Sequence, residues 1–158
     1  MAKYDFEDIL DDIETVLAAN LNTKIGLLNT EKNDGITIPT IKDQAYFLQS
    51  LDDSVANFDP FVIYGLEDIE VIEPGVGRTA EKIFIYVIIV ISDNGRLNLN
   101  KILFRYSRIL KEIFKTNFQN KNISNRLIVN RLSPVPFSAL DGSETYKAIG
   151  VMLETVLA

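Results

Sequence analysis

Ala80-Glu81-Lys82-Ile83-Phe84-Ile85-Tyr86-Val87-Ile88-Ile89-Val90-Ile91, followed by Ser92-Asp93-Asn94-Gly95, is the stretch that decides the fold. Nine apolar residues run unbroken from Ile83 to Ile91, and seven of them are Ile or Val. β-Branched and aromatic side chains suit a pleated, packed surface. The run is too short to cross a bilayer as a helix, which takes roughly 20 residues. A continuous apolar run bounded by turn residues reads as a strand buried on both faces. It is therefore expected to be the central strand of a sheet, covered on one side by a long helix. The N-terminal helix or a neighbouring subunit would cover the other.

Outward from this strand, Phe61 to Glu73 reads as its hairpin partner, with Gly65 as a bulge or bend and 74–79 as the connecting loop. Gly75 and Gly77 lack the Gly-Lys-Ser/Thr signature of a phosphate loop, and a strand follows them. On the other side, Asp93-Asn94-Gly95 turns the chain into a helix over 97–117. Its apolar stripe runs from Leu99 and Ile102 to Ile113 and Phe114. Lys101, Arg105, Arg108, Lys111 and Lys115 are spaced by 4, 3, 3 and 4 residues, which puts them on one helix face. Three readings of that stripe stand: a solvated or intrachain-paired face, a protein contact, or a phosphate-binding footprint. The net charge of -6 and the lack of a nucleic-acid motif weigh against the last.

Residues 4–19 read as an amphipathic helix, with six carboxylates between Asp5 and Glu14 on its outer face. No calcium-loop spacing accompanies them. Residues 20–39 are polar and mixed; Leu21 to Ile25 could open a strand or a second short helix, and 29–35 reads as a loop. The stretch 41–57 is ambiguous between a short helix and an extended segment. Asp59-Pro60 punctuates the chain before the hairpin. Beyond the long helix come an Asn/Lys-rich loop, a strand at 126–130, an extended Ser133-Pro134-Val135-Pro136, a turn at 139–143 and a last strand at 144–157. In that strand Ile149, Val151, Leu153 and Thr155 share one face. The order implies one α+β domain spanning 1–158: an antiparallel or mixed sheet flanked by an N-terminal helix and a long central helix.

The 158 residues suffice for one domain with a core of its own. There is no cysteine and no histidine, which removes thiolate chemistry, Ser-His-Asp and Cys-His catalysis, and His-ligated zinc. The remaining acids and bases, Asp, Glu, Lys and Tyr, converge nowhere in the sequence. A glycosidase pair would need two carboxylates held across a cleft, whereas these fall on an exposed helix face and in loops. No catalytic residue, metal ligand or cofactor site is expected, and the chain reads as a non-enzyme. The N-terminus is acidic without an apolar core, so no signal peptide is expected, nor any association with a membrane. Charge is split: residues 1–75 carry 4 basic and 16 acidic side chains, residues 76–158 carry 12 and 6. Either the halves neutralise within one fold, or two signs emerge on different faces, as suits head-to-tail stacking.

Three features together resemble a known family. They are the hydrophobic strand Glu81 to Val90, the aromatic-basic helix core Leu103-Phe104-Arg105-Tyr106-Ser107-Arg108-Ile109-Leu110, and the closing pattern Tyr-x-x-x-Gly-Val from Tyr146 to Val151. They look like the small tail-terminator, or tail-completion, proteins of tailed bacteriophages. The resemblance covers 60–158 and extends to 1–59 in outline. It implies an α+β fold and a homo-oligomeric ring, typically of six, that caps the tail tube and joins it to the neck or connector. The partners implied are other copies of the chain, the tail tube protein and the neck or connector protein, with direct nucleic-acid binding not expected. The place implied is the tail-neck region of the virion, after synthesis in the host cytoplasm. Related readings are another neck or head-completion protein, or a small cytoplasmic adaptor. Candidate contact residues are Glu73 and Arg78 in the hairpin loop, Lys101, Arg105, Arg108, Lys111 and Lys115 on the long helix, and Pro134 and Pro136 in the segment 133–143, since loops carry recognition on a rigid scaffold.

Overall fold

A computed structural model describes residues 5–48, 58–92, 97–119, 131–137 and 146–157. The chain is α+β. Helix α1 (Phe6–Lys32) leads into strand β1 (Tyr46–Leu48) and the hairpin β2 (Phe61–Gly75) and β3 (Arg78–Ser92). Helix α2 (Leu99–Gln119), β4 (Arg131–Phe137) and β5 (Tyr146–Leu157) complete it. The five described strands lie in the order β1-β2-β3-β5-β4, so β3, which carries the Ile/Val run, is the middle strand as expected. β1 runs parallel to β2 and every other pair is antiparallel, which makes the sheet mixed.

α1 begins at a reciprocal capping box. The Asp8 amide donates to the Asp5 carboxylate at 3.2 Å and the Asp5 amide donates to the Asp8 carboxylate at 2.9 Å. The helix does not stop at residue 19 but continues to Lys32, where Asn33 closes it in the left-handed region at φ 41°. The polar appearance of 20–32 conceals a continued stripe: Leu17, Leu21, Ile25 and Leu28 are all buried. Asn22 and Asn29, two helical turns apart, reach out of the helix to the returning chain. The Asn22 amide donates to the Ile41 carbonyl at 2.7 Å and its oxygen accepts from the Ile41 amide at 2.8 Å. Asn29 makes the same pair with Ile38, at 3.1 and 2.8 Å. Seven helical residues rise about 10.5 Å and three extended residues span about 10 Å, so the two clamps fall in register.

The second ambiguous stretch resolves, in its described part, as the short β1, with Tyr46 opposite Val62 and Leu48 opposite Tyr64. The rest of that stretch, 49–57, lies outside the described residues, as do the Asp93–Gly95 turn, the strand expected at 126–130 and the turn at 139–143. The hairpin differs from expectation in two details. Gly65 pairs normally with Tyr86, and the register shift falls one step later, between Leu66 and Asp68. The connection is a tight Val76-Gly77 turn rather than a six-residue loop, because Gly77 adopts φ 72° and lets the strands pair up to Gly75 and Arg78. A second shift between Ile72 and Gly75 precedes the turn. At the hairpin's other end the Asp59 carboxylate accepts from the Ser92 amide at 2.9 Å and from the Ser92 hydroxyl, which ties the start of β2 to the end of β3.

Register assigns the two faces of the sheet. Val62 and Tyr64, Ile85 to Ile89 in alternate positions, and Ile149, Val151 and Leu153 share one face. The Tyr64 hydroxyl donates to Glu14 of α1 at 2.9 Å, which places α1 over that face. α2 packs on α1 and on β5. Both helices therefore cover one side, so of the two expected covers for the other side, the N-terminal helix and a neighbouring subunit, α1 is not the one. The opposite face carries buried Phe61, Ile63, Ile88 and Val90. There Phe58, Phe47, Phe61 and Tyr146 form a chain of tilted and edge-on rings with centroids 5.7 to 6.2 Å apart. Gly150 lies where a Cβ would sit 2.2 Å from the Val87 carbonyl, so the glycine of the closing pattern is required by the close approach of β5 to β3.

Each asparagine clamp satisfies a donor and an acceptor of a backbone whose side chains, Ile38 and Ile41, are fully buried. Asn29→Ala leaves both groups unpaired and is expected to lower unfolding free energy by about 1–3 kcal/mol. Asn22→Ala should cost a similar amount. Urea unfolding followed by circular dichroism reads both; an unchanged midpoint would show that water replaces the clamps without loss.

Candidate interaction site

The basic stripe of α2 divides when it is placed in three dimensions. Lys101, Arg108, Lys111 and Lys115 are exposed, as the spacing predicts. Arg105 is not: it is 8% exposed and turned inward. Its guanidinium donates to both carboxylate oxygens of Asp34, one at 3.2 Å, and to the Ile36 carbonyl at 2.9 Å. Spacing of 4 and 3 residues spreads side chains over a sector of the helix, and Arg105 falls at the edge that meets the returning chain. The next residue, Tyr106, donates its hydroxyl to the Pro39 carbonyl at 2.6 Å. Arg105 and Tyr106 thus hold from α2 the same segment that Asn22 and Asn29 hold from α1. Arg105 belongs to the fold and is not available to a partner.

Arg108 is exposed and makes two bonds of 3.1 Å to the Glu31 carboxylate and one of 3.1 Å to Glu112. These bonds hold the Glu31 carboxyl below its ordinary range. Together with Arg105 and Asp34 they join the basic second half of the chain to the acidic first half. The exposed cations Lys101, Lys111 and Lys115, and Lys32 in the last turn of α1, form no ion pair with a carboxylate among the described residues, though Lys32 lies near enough to Glu31 to help lower its carboxyl. At the other end of the sequence Asp5, Glu7, Asp11 and Glu14 are exposed. The reading in which the halves neutralise within one fold holds at this seam, and exposed charge of each sign remains elsewhere on the surface.

Lys32, Asp34, Lys101, Phe104, Arg105 and Arg108 line an open groove where the end of α1 meets the start of α2. Phe104 was no candidate in the sequence, yet it is 67% exposed in the middle of this cationic rim. The signal was available: Phe104 lies 3 residues after Lys101 and 4 before Arg108, in step with the polar face.

The hairpin forms a second surface. Glu73 and Arg78 flank its turn and are exposed, as is Val76 at the tip. Ile69 and Val71 are exposed on the same face of the sheet as Ile83. Pro134 and Pro136 lie in β4, an edge strand, opposite Val151 and Ile149. Two residues apart, they turn their donor-less nitrogens to the same side, and a proline is tolerated in a sheet where that side is the free one. Among the described residues no cluster of three or more carboxylates is placed to hold a metal ion, and no helix is long and apolar enough to cross a membrane. Compared with known proteins, the chain matches no family model and no curated protein.

Two measurements separate the arginines. Arg105→Ala strips partners from Asp34 and the Ile36 carbonyl and is expected to cost about 1–3 kcal/mol of stability. Arg108→Ala removes only exposed pairs and should leave the unfolding midpoint almost unchanged. Equal losses in the two variants would overturn the division of the stripe. The Asp34 carboxyl is held down to about 2 from 3.8, chiefly by the hydrogen bond from Arg105. On acidification the unfolded chain takes up this proton first, so the stabilisation is complete above pH ~4 and is lost as pH falls towards ~2. Asp34→Asn should flatten this part of the pH–stability curve; a curve parallel to that of the unaltered protein would remove Asp34 from the account.

Proposed function

We propose that this chain is a structural virion protein of the tail-terminator type, forming a homo-oligomeric ring that caps a tail tube and joins it to the neck or connector. The observation that carries the reading is the distribution of surface chemistry. Apolar side chains stand exposed at the hairpin end (Ile69, Val71, Val76) and beside the α2 cations (Phe104), and the groove that Phe104 lines is open. Exposed apolar groups rimmed by charge are the mark of a contact surface. The resemblance in the strand, helix core and closing pattern supplies the kind of assembly. The work is non-covalent: such a ring ends tube growth by occupying the last tube ring, and presents a different face to the head. Opposite charge on two surfaces fixes the orientation of the stack and speeds encounter, and both effects weaken with salt.

Purified chain mixed with isolated tail tubes tests this reading. The expected result is co-sedimentation with the tubes, with electron-microscope images showing one added ring at a tube end. Binding to portal-side connectors without any binding to tubes would transfer the chain to the neck proteins. A chain that binds neither would overturn the virion reading in favour of an adaptor.

A further inference from the structure

The distal hairpin and the α1–α2 groove each carry exposed apolar side chains beside charge, acidic on the one and basic on the other. Residues 67–82 carry five acidic side chains, Glu67, Asp68, Glu70, Glu73 and Glu81 among them all, against Arg78 and Lys82. Lys82 is already engaged by Glu154 at 3.1 Å. On the face that bears Ile83, Val71 is 68% exposed and its register partner is the exposed Glu81. Ile69 stands beside it, with the exposed Glu73 further towards the turn. This is an apolar ridge with an acidic rim. The groove is its counterpart, an exposed aromatic ring with Lys32 and Lys101 at its rim, neither paired with a carboxylate among the described residues.

We infer that the groove receives the distal hairpin of a second copy of this chain: Val71 and Ile69 cover Phe104, and Glu73 and Glu81 meet Lys101 and Lys32. The inference rests on the reading above for the premise that copies assemble, and adds which surfaces meet. Because hairpin and groove are different patches, the contact is heterologous. Each copy gives one ridge and offers one groove, so the contact propagates and closes into a ring when the rotation per subunit allows it. The bulge at Glu67 and the carboxylates along β2 discourage pairing of its outer edge with another strand, which leaves side-chain docking as the mode open to the hairpin. An exposed ring among cations is also what a single-stranded nucleic acid would stack on. The apolar, acidic ridge elsewhere on the same molecule favours the second copy.

Charge exchange between two variants tests this. Glu73→Lys with Glu81→Lys gives a basic ridge, and Lys32→Glu with Lys101→Glu gives an acidic groove, all four positions being exposed. Sedimentation velocity over a concentration series should show assembly of the unaltered chain. Each variant alone should associate roughly tenfold or more weakly, the loss expected for reversing close charge pairs at an interface. An equimolar mixture should assemble again, since each variant's ridge then fits the other's groove. Cysteine pairs give a second readout in this cysteine-free chain: Val71→Cys and Phe104→Cys proteins should form a disulfide with each other when mixed and oxidised. Circular dichroism checks that the variants are folded. A monomeric unaltered chain, assembly unaffected by either reversal, or a mixture that does not recover would each overturn the inference. Rings that form but ignore the reversals would sink this contact and leave the ring reading intact. Loss of oligonucleotide binding in the groove variant, with self-association unchanged, would assign the groove to nucleic acid instead.

Discussion

The structure depends on a strip of backbone that has no regular secondary structure. Residues 34–41 run back along α1 and lie between it and α2. Their polar groups are met from one side by Asn22 and Asn29, and from the other by Arg105 and Tyr106. Where an extended segment without a sheet partner turns buried residues such as Ile38 and Ile41 inward, the N–H and C=O groups there need partners other than water. Side-chain amides serve here because each offers one donor and one acceptor in the geometry of a peptide group. The two helices are thus joined through this strip as well as by direct contact, and the apolar residues Ile38 and Ile41 carry it into the core.

That arrangement explains where the charge asymmetry goes. The acidic first half and the basic second half meet where the strip leaves α1, at Asp34 with Arg105 and Glu31 with Arg108. The buried guanidinium is anchored by a carboxylate and a carbonyl, the condition under which a charge is tolerated inside. The exposed pair beside it adds little to stability. What is left on the surface is exposed charge of both signs, carboxylates along α1 and lysines on α2.

Much of this was legible in the sequence. The Ile/Val run placed the middle strand, and alternation in 149–155 gave the buried face of β5, because strand periodicity survives when one face is dry. Apolar spacing gave the beginning of α1 and nearly all of α2. The extension of α1 to Lys32 was hidden because Asn20, Asn22 and Asn29 resemble turn residues; Asn20 bonds back within the helix to Val16, and only the distant carbonyls that Asn22 and Asn29 bind reveal why those two are there. Arg105 was misplaced for a related reason. Helical spacing tells which residues are neighbours on a helix, but not where the rest of the chain crosses it. The tight Val76-Gly77 turn and the bulge at Glu67 depend on pairing register, which hydrophobic pattern sets only to within a residue. Phe104 shows the converse: an aromatic residue in step with a polar stripe is a surface feature that its hydrophobicity disguises.

The two prolines of β4 have a consequence for how such a molecule behaves when crowded with copies of itself. One margin of the sheet ends in a strand whose outer hydrogen-bonding side is interrupted at alternate residues; the opposite margin begins with a strand only three residues long, β1. Among the described residues, the prolines shorten the row of donors that β4 can offer to another strand. An edge interrupted in this way resists fusion of sheets into fibrils when molecules crowd together. Order in any assembly it makes then has to come from side chains that recognise a particular surface, and such an assembly can be finite.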